Sequence, residues 1–154
     1  MTLSSVSNRR ITAADVGLMV LRLGAGVSLF LLFGLTKLKA ANSYFHTGAW
    51  EFVDFNRKVG LPAPVIIAFL QTLNESVGAL LVVAGFLTRY AAGSVALGFF
   101  AATYLSVRMG EDAWLIALFY AVMFTTLALT GSGKLSIDYL RAFRTTAKGS
   151  IDES

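Results

Sequence analysis

One apolar segment, residues 64–87, constrains this chain more than any other feature. It is 24 residues long and apolar almost throughout, with Gln71, Asn74 and Glu75 set into its middle. Because a helix rises 1.5 Å per residue, about 20 residues cross the ~30 Å hydrocarbon core of a bilayer. The pattern therefore predicts a membrane span with Glu75 near the midplane. A carboxylate at that depth costs ~2.5 kcal/mol or more unless it is paired, protonated or faces a cavity.

The composition also indicates a membrane protein. Only 14% of the 154 residues are charged and 56% are hydrophobic, whereas soluble domains carry about 25% charged residues. We predict an all-α polytopic membrane protein, a single domain over residues 1–154 that forms a bundle of four transmembrane helices. The expected spans are about 16–35, 64–87, 90–107 and 113–130. Thr12 and Asp15 have the spacing of a capping box and are expected to start the first helix.

Two further segments are predicted to lie on the membrane surface. The first is in the long loop 36–62, where a short interfacial helix is expected over 48–59. Its apolar face would hold Phe45, Ala49, Phe52 and Val59, and a disordered aromatic loop is the alternative. The second is a basic amphipathic helix over 135–147 near the C-terminus, with Ser136 as its cap.

The distribution of Lys and Arg predicts the orientation. Seven lie in the N-terminus, the turn at 88–89 and the tail: Arg9, Arg10, Arg89, Lys134, Arg141, Arg144 and Lys148. Five lie on the opposite side: Lys37, Lys39, Arg57, Lys58 and Arg108. The excess places both termini in the cytoplasm. Because these residues flank apolar spans, we assign the net charge of +4 to contact with membrane lipids and expect no nucleic-acid partner.

The scarcity of sulfur and imidazole limits the chemistry. The chain has no Cys and one His, His46. It therefore cannot perform thiol–disulfide exchange, hold an iron–sulfur cluster or supply a bis-His haem site by itself. We expect no metal site and no covalently bound cofactor. A redox role would require a diffusible carrier such as a quinone, or a partner subunit.

Arg22 and Glu75 are the charged residues expected well inside the spans. From the predicted span ends, Arg22 would lie ~9 Å deep and Glu75 ~17 Å deep. We expect the two long side chains to lean together and form a direct ion pair. The pair has two interpretations: a structural clamp that fixes helix register, or a pocket or proton-binding group between the helices.

The polar residues near Glu75 favour a pocket. Gln71 lies on the same helical face as Glu75, whereas Asn74 is about 100° away. Tyr104 and Tyr120 are the phenols best placed to reach this layer. One ion pair leaves Gln71, Asn74, Tyr104 and Tyr120 with unused donors and acceptors in hydrocarbon. We therefore predict that these four bind a ligand, with Glu75 and Arg22 as catalytic residues. The apolar walls of this pocket would be formed by Phe30, Phe33, Phe99 and Phe100.

Several short motifs occur in one order along residues 16–140. They are Arg22-Leu-Gly24, Gly34-Leu-Thr-Lys37-Leu38, Val59-Gly-Leu-Pro-Ala-Pro64, Glu75-Ser-Val-Gly78, Gly85-Phe-Leu-Thr-Arg89 and Leu129-Thr-Gly-Ser-Gly-Lys-Leu-Ser-Ile-Asp138. Through this ordered set the chain resembles the DoxX family of small bacterial membrane proteins. The resemblance implies a four-helix bundle in the bacterial inner (cytoplasmic) membrane. Relatives in this family include the quinone-reducing small subunit of thiosulfate:quinone oxidoreductase, so the resemblance implies a link to quinones.

Two functional hypotheses follow from this resemblance and from the polar layer. In the first, the protein is a quinone-linked redox subunit whose partner subunit delivers electrons. In the second, it is a non-catalytic scaffold or assembly factor for a redox or stress-response complex. Either is compatible with a homo-oligomer, and a carrier of protons or small molecules is a third hypothesis.

Overall fold

The computed structural model describes residues 11–141, and every regular element within them is a helix. The helices are α1 (Ala13–Thr47), α2 (Glu51–Lys58), α3 (Pro64–Ala84), α4 (Thr88–Met109) and α5 (Trp114–Thr130). Among these, α1, α3 and α4 are long and apolar enough to cross a membrane. The chain is therefore a helical membrane protein, as the sequence predicts. With 17 residues, or about 26 Å, α5 is at the short end of the range for a span, and its crossing stays a prediction.

The first helix begins at the predicted capping box. Thr12 Oγ1 accepts a hydrogen bond from the Asp15 amide at 3.3 Å, and Asp15 Oδ2 accepts one from the Thr12 amide at 2.9 Å. The helix continues beyond the expected end at residue 35, because residues 35–47 contain neither Gly nor Pro. It ends where Gly48 takes a left-handed φ of 68°. Lys37, expected in a loop, therefore lies on α1.

Helices α1 and α3 each contain a π-helical segment, Phe30–Gly34 in α1 and Asn74–Gly78 in α3. The two segments lie against each other. A Cβ atom on Gly34 would lie only 2.9 Å from the carbonyl oxygen of Glu75, so a side chain at this position would force the backbones apart. Such π segments are frequent at functional sites. Here one of them contains Glu75, and the other packs against the backbone of Glu75.

Helices α1, α3, α4 and α5 share one apolar core. Its fully buried side chains include Leu29, Val82, Val95, Phe124 and Leu127. The opposite faces of the same helices present large apolar side chains outward, such as Leu97 on α4, which is 71% exposed. A continuous apolar exterior of this kind suits contact with lipid tails and not with water.

The short helix α2 lies inside the predicted interfacial segment 48–59, but its buried face differs from the expected one. Val53 and Asn56 are buried, whereas Phe45 is 74% exposed. The expected shared face is wrong because Gly48 ends α1 between Phe45 and α2. These residues therefore do not belong to one helix.

The last described residues fold back over one end of the bundle. Residues 137–141 are helical, and the Tyr139 amide donates to Ser136 Oγ at 3.2 Å, which confirms Ser136 as the cap. The helix begins at residue 137 and not at 135, because Ser136 is its cap, and residues 142–147 of the predicted helix lie outside the described residues. Just before this helix, the Lys134 amide donates to Asp15 Oδ1 at 3.0 Å. The segment is thereby joined to the start of α1.

Asp138 caps α4 from 50 residues away. Its carboxylate accepts hydrogen bonds from the amides of Leu87 at 2.8 Å and Thr88 at 3.0 Å, and from the Thr88 hydroxyl. Leu87 has a φ of 48°, in the left-handed region that favours glycine. Partial burial raises the pKa of Asp138, but the hydrogen bonds from Thr88 and Leu87 outweigh it and lower the pKa below its ordinary value.

The first prediction concerns this cap. Asp138→Ala should lower the free energy of unfolding by about 0.5–2 kcal/mol at pH 7, whereas Asp138→Asn, which keeps an acceptor, should lower it less. Because folding lowers the pKa of Asp138, the contribution of the charge is present above pH ~4 and is lost as the pH falls further. Denaturant unfolding in mild detergent at pH 7 and pH 3 measures this. A gap between wild type and Asp138→Ala that stays constant over this range contradicts the prediction.

The second prediction concerns topology. The start of α1 and the segment 132–141 lie at one end of the bundle, and the α4–α5 connection lies at the other. Because the chain has no Cys, each introduced thiol is unique. In intact cells a membrane-impermeant maleimide should label Glu111→Cys and should leave Leu140→Cys unlabelled until the cells are lysed. The reverse pattern would overturn the cytoplasmic placement of the termini.

Candidate functional site

Arg22 does not pair with Glu75. Its Nη1 donates to the carbonyl of Ser132 at 2.9 Å and its Nη2 to that of Leu135 at 2.7 Å. The guanidinium lies level with Gly85, where a Cβ would be 2.5 Å from Nη1. Gly85 is ten residues from Glu75, or about 15 Å along α3. The expected direct pair is wrong, because the depths counted from the predicted span ends made this separation too small.

The partner of Glu75 is Lys37. Lys37 Nζ lies 2.7 Å from Glu75 Oε1, and the two side chains are 21% and 3% exposed. Gln71 Nε2 donates to the same oxygen at 2.9 Å. Lys37 Nζ also lies 4.2 Å from the centre of the Phe52 ring, within the range of a cation–π contact. A salt bridge, an amide and an aromatic ring therefore meet at one point.

Sequence reasoning missed Lys37 because hydropathy falls after residue 35. The helix does not end there, so Lys37 is carried 15 residues beyond Arg22, about 22 Å further along α1. The available signal was the absence of Gly and Pro before Gly48. It predicts a helix that is longer than the apolar segment and that carries Lys37, but it does not give the position of Lys37 relative to Glu75 on α3.

One oxygen of Glu75 receives no hydrogen bond from the part of the chain that the structure describes. Within residues 11–141, the buried side-chain nitrogen and oxygen atoms without a hydrogen bond are Arg22 Nε and Glu75 Oε2. Both donors at this site, from Lys37 and Gln71, reach Oε1. A buried acceptor left unsatisfied costs about 1–3 kcal/mol, and more where it is charged. Glu75 Oε2 is therefore an acceptor available to a hydrogen-bond donor.

A cavity of about 200 Å³ adjoins the salt bridge. Its polar wall is formed by Lys37, Gln71 and Glu75. The remaining lining comes from α2, α4 and the start of α3 with its preceding loop: Phe52, Phe55, Asn56, Leu61, Ile67, Gly98, Ala101, Ala102 and Leu105. A Cβ on Gly98 would lie 2.7 Å from Gln71 Oε1, so the glycine makes room for the amide. The cavity combines one charged corner with apolar walls.

The other predicted polar residues lie elsewhere. Asn74 exchanges hydrogen bonds with Ser94, at 2.9 Å to its carbonyl and 2.8 Å from its hydroxyl, and so joins α3 to α4. The Tyr120 hydroxyl donates to Ser28 Oγ at 3.0 Å inside the core. Tyr104 is 64% exposed on the outer face of α4. Of the expected ligand-binding set, the structure brings only Gln71 to Glu75.

The four Phe residues predicted to form the walls of the pocket do not line this cavity. Phe33 and Phe99 pack on the Tyr120 ring, with centres 5.7 and 5.1 Å away, and Phe100 is 45% exposed. Phe30 packs against the main core. The cavity takes its aromatic lining from Phe52 and Phe55 instead, because α2 packs against the start of α3, where Asn56 Nδ2 donates to the carbonyl of Pro64.

The family model described as DoxX matches residues 17–108, more than half of the chain. The chain belongs to the DoxX family. Neither the curated proteins nor the solved structures contain a match. All residues that line the cavity fall within the DoxX region, whereas Asp138 and the carbonyls that hold Arg22 lie beyond it.

The third prediction separates the two basic residues by their coupling to Glu75. Lys37→Met alone strands a buried carboxylate and should cost about 3–5 kcal/mol, whereas Lys37→Met/Glu75→Leu should cost much less than the two single changes added together. Arg22→Met and Glu75→Leu should be additive within ~0.5 kcal/mol, since their sites are far apart. Unfolding of these variants in detergent measures both cycles. Stronger coupling of Glu75 to Arg22 than to Lys37 would refute the arrangement.

Proposed function

We propose that this DoxX protein is a quinone-linked redox subunit of the bacterial inner membrane that holds a quinone head group beside Glu75. A similar lipophilic ring would bind in the same way. The observation that carries the proposal is the charged corner of an otherwise apolar cavity: a Lys37–Glu75 salt bridge of 2.7 Å and a free carboxylate oxygen. Binding sites of this kind are mostly apolar, with a few polar groups that orient the ligand.

The donors suit the oxygens of a quinone. An ammonium has three N–H groups and an amide has two. Lys37 and Gln71 each give one of these to Glu75 Oε1, which leaves N–H groups on both for a ligand oxygen. Phe52 and Phe55 supply aromatic walls for the ring. At about 200 Å³ the cavity is smaller than the 300–1,000 Å³ of drug-sized sites. It therefore takes the ring and leaves an isoprenoid tail outside.

The chemistry needs a partner for its electrons. Reduction of a quinone takes two electrons and two protons and yields a quinol. A chain without Cys and with one His supplies few ligands for a redox centre of its own, so we assign the electrons to a partner subunit. The carboxylate of Glu75 takes up a proton from water and passes it to the adjacent ring oxygen, and the other ring oxygen takes the second proton from water outside the cavity. Arg22, with two nitrogens on backbone carbonyls, positions the C-terminal segment and takes no part in the reaction.

A scaffold or assembly factor is the second candidate. It is favoured by the internal pairing of Arg22, Asn74 and Tyr120, whose hydrogen bonds join segments of the protein to each other. These bonds fix helix positions without involving a ligand. The two candidates differ in one measurable property, saturable binding in the cavity.

The fourth prediction tests binding directly. Purified protein in mild detergent should bind ubiquinone-1 saturably in equilibrium dialysis. Ala102→Leu fills the cavity without changing a charge, and Lys37→Met/Glu75→Leu removes both charges together. Each should weaken binding at least about 10-fold, which corresponds to ~1.4 kcal/mol.

Leu97→Ala, on the outer face of α4, is the matched control and should bind like wild type. Absence of saturable binding by wild type, or equal binding by a folded Ala102→Leu protein, would leave the scaffold as the function.

A further inference from the structure

We infer that the site prefers the reduced, hydroxyl-bearing form of its ligand, a quinol, over the oxidised quinone. This inference rests on the proposed function and adds the chemical state of the ligand. It comes from how the donors and acceptors at Glu75 are distributed between its two carboxylate oxygens.

The distribution is unequal. Lys37 Nζ and Gln71 Nε2 both donate to Oε1, at 2.7 and 2.9 Å. Oε2 is buried and receives no hydrogen bond from residues 11–141. As the anion of a salt bridge, the Glu75 side chain only accepts hydrogen bonds. The wall of the cavity therefore presents a hydrogen-bond acceptor that a donor group on the ligand would satisfy.

A quinone cannot supply this donor. Its ring oxygens only accept, so an oxygen placed against Oε2 would bring two acceptors together without a proton between them. A quinol has an O–H group that donates to Oε2, while the same oxygen accepts from an N–H group of Lys37 or Gln71. One ring oxygen then uses both the free acceptor and the free donors of the site.

Such a preference has a consequence for electron transfer. A site that binds quinol more tightly than quinone raises the reduction potential of the bound couple. For this two-electron couple, a tenfold preference corresponds to about 30 mV. The bound quinone becomes a stronger oxidant, which draws electrons from a partner subunit onto the ring.

The test uses two redox-inert probes of nearly the same shape, 4-hexylphenol and its methyl ether, 4-hexylanisole. The phenol has the O–H donor and the ether lacks it. Equilibrium dialysis of wild type should give about 10-fold tighter binding of the phenol, since a hydrogen bond to a charged group is being gained. Anaerobic dialysis with ubiquinol-1 and ubiquinone-1 should show the same order. Neither comparison depends on the folding of a variant.

Glu75→Gln assigns the preference to this carboxylate. Glutamine has nearly the same shape, but its amide presents a donor in place of one acceptor, so the preference for phenol over ether should disappear. In Leu97→Ala, a change on the outer face of α4, the preference should persist.

The outcomes separate the two proposals. If phenol and ether bind equally, or ubiquinone-1 binds as tightly as ubiquinol-1, the inference is overturned while the quinone site stands. A preference for phenol over ether that persists in folded Glu75→Gln also overturns the inference, because a group other than Glu75 then accepts the hydrogen bond from the phenol hydroxyl. If none of the four probes binds saturably, the proposed function fails, and the inference fails with it.

Discussion

The salt bridge between Lys37 and Glu75 fixes the middle of this molecule. A carboxylate that is 3% exposed needs a cation within reach, and the cation comes from the part of α1 that extends beyond its apolar segment. The close approach of the two helices makes this possible, because Gly34 lets α1 meet the α3 backbone at Glu75. Phe52 of α2 then covers the ammonium. The ion pair therefore depends on three features: the length of α1, the close contact between α1 and α3, and the position of α2.

The buried polar groups divide into two layers with different properties. At the end of the bundle, Asp15, Arg22 and Asp138 tie the segment 132–138 to α1 and α4 through backbone groups. These bonds close the structure. In the middle layer, the donors of Lys37 and Gln71 leave Glu75 Oε2 unpaired beside a cavity. In this second layer, a buried acceptor that receives no hydrogen bond from residues 11–141 lies beside space for another molecule.

The sequence predicts the class of fold and one half of the site. Apolar length gives the helices, and helical spacing puts Gln71 on the face of Glu75, where its amide is found. The partner of Glu75 was not predictable in the same way. Periodicity defines which side chains share a face of one helix, but it does not give the axial offset between two helices. For that reason the sequence pattern predicts Arg22 too close to Glu75 and predicts Lys37 in a loop.

The same limit applies to Asn74 and Tyr120, whose polar groups are predicted from the sequence to lack partners within the protein. Each is satisfied by a hydroxyl-bearing residue on a neighbouring helix, Ser94 and Ser28, and such pairs depend on packing that no single segment encodes. Once they are accounted for, the buried side-chain atoms of residues 11–141 that lack a hydrogen bond are Arg22 Nε and Glu75 Oε2, and of these Glu75 belongs to the cavity wall. A buried ion pair is a weak way to stabilise a bundle, because apolar residues of similar volume often do as well or better. Its presence beside a cavity, with one oxygen unpaired, is explained more simply by a ligand than by stability.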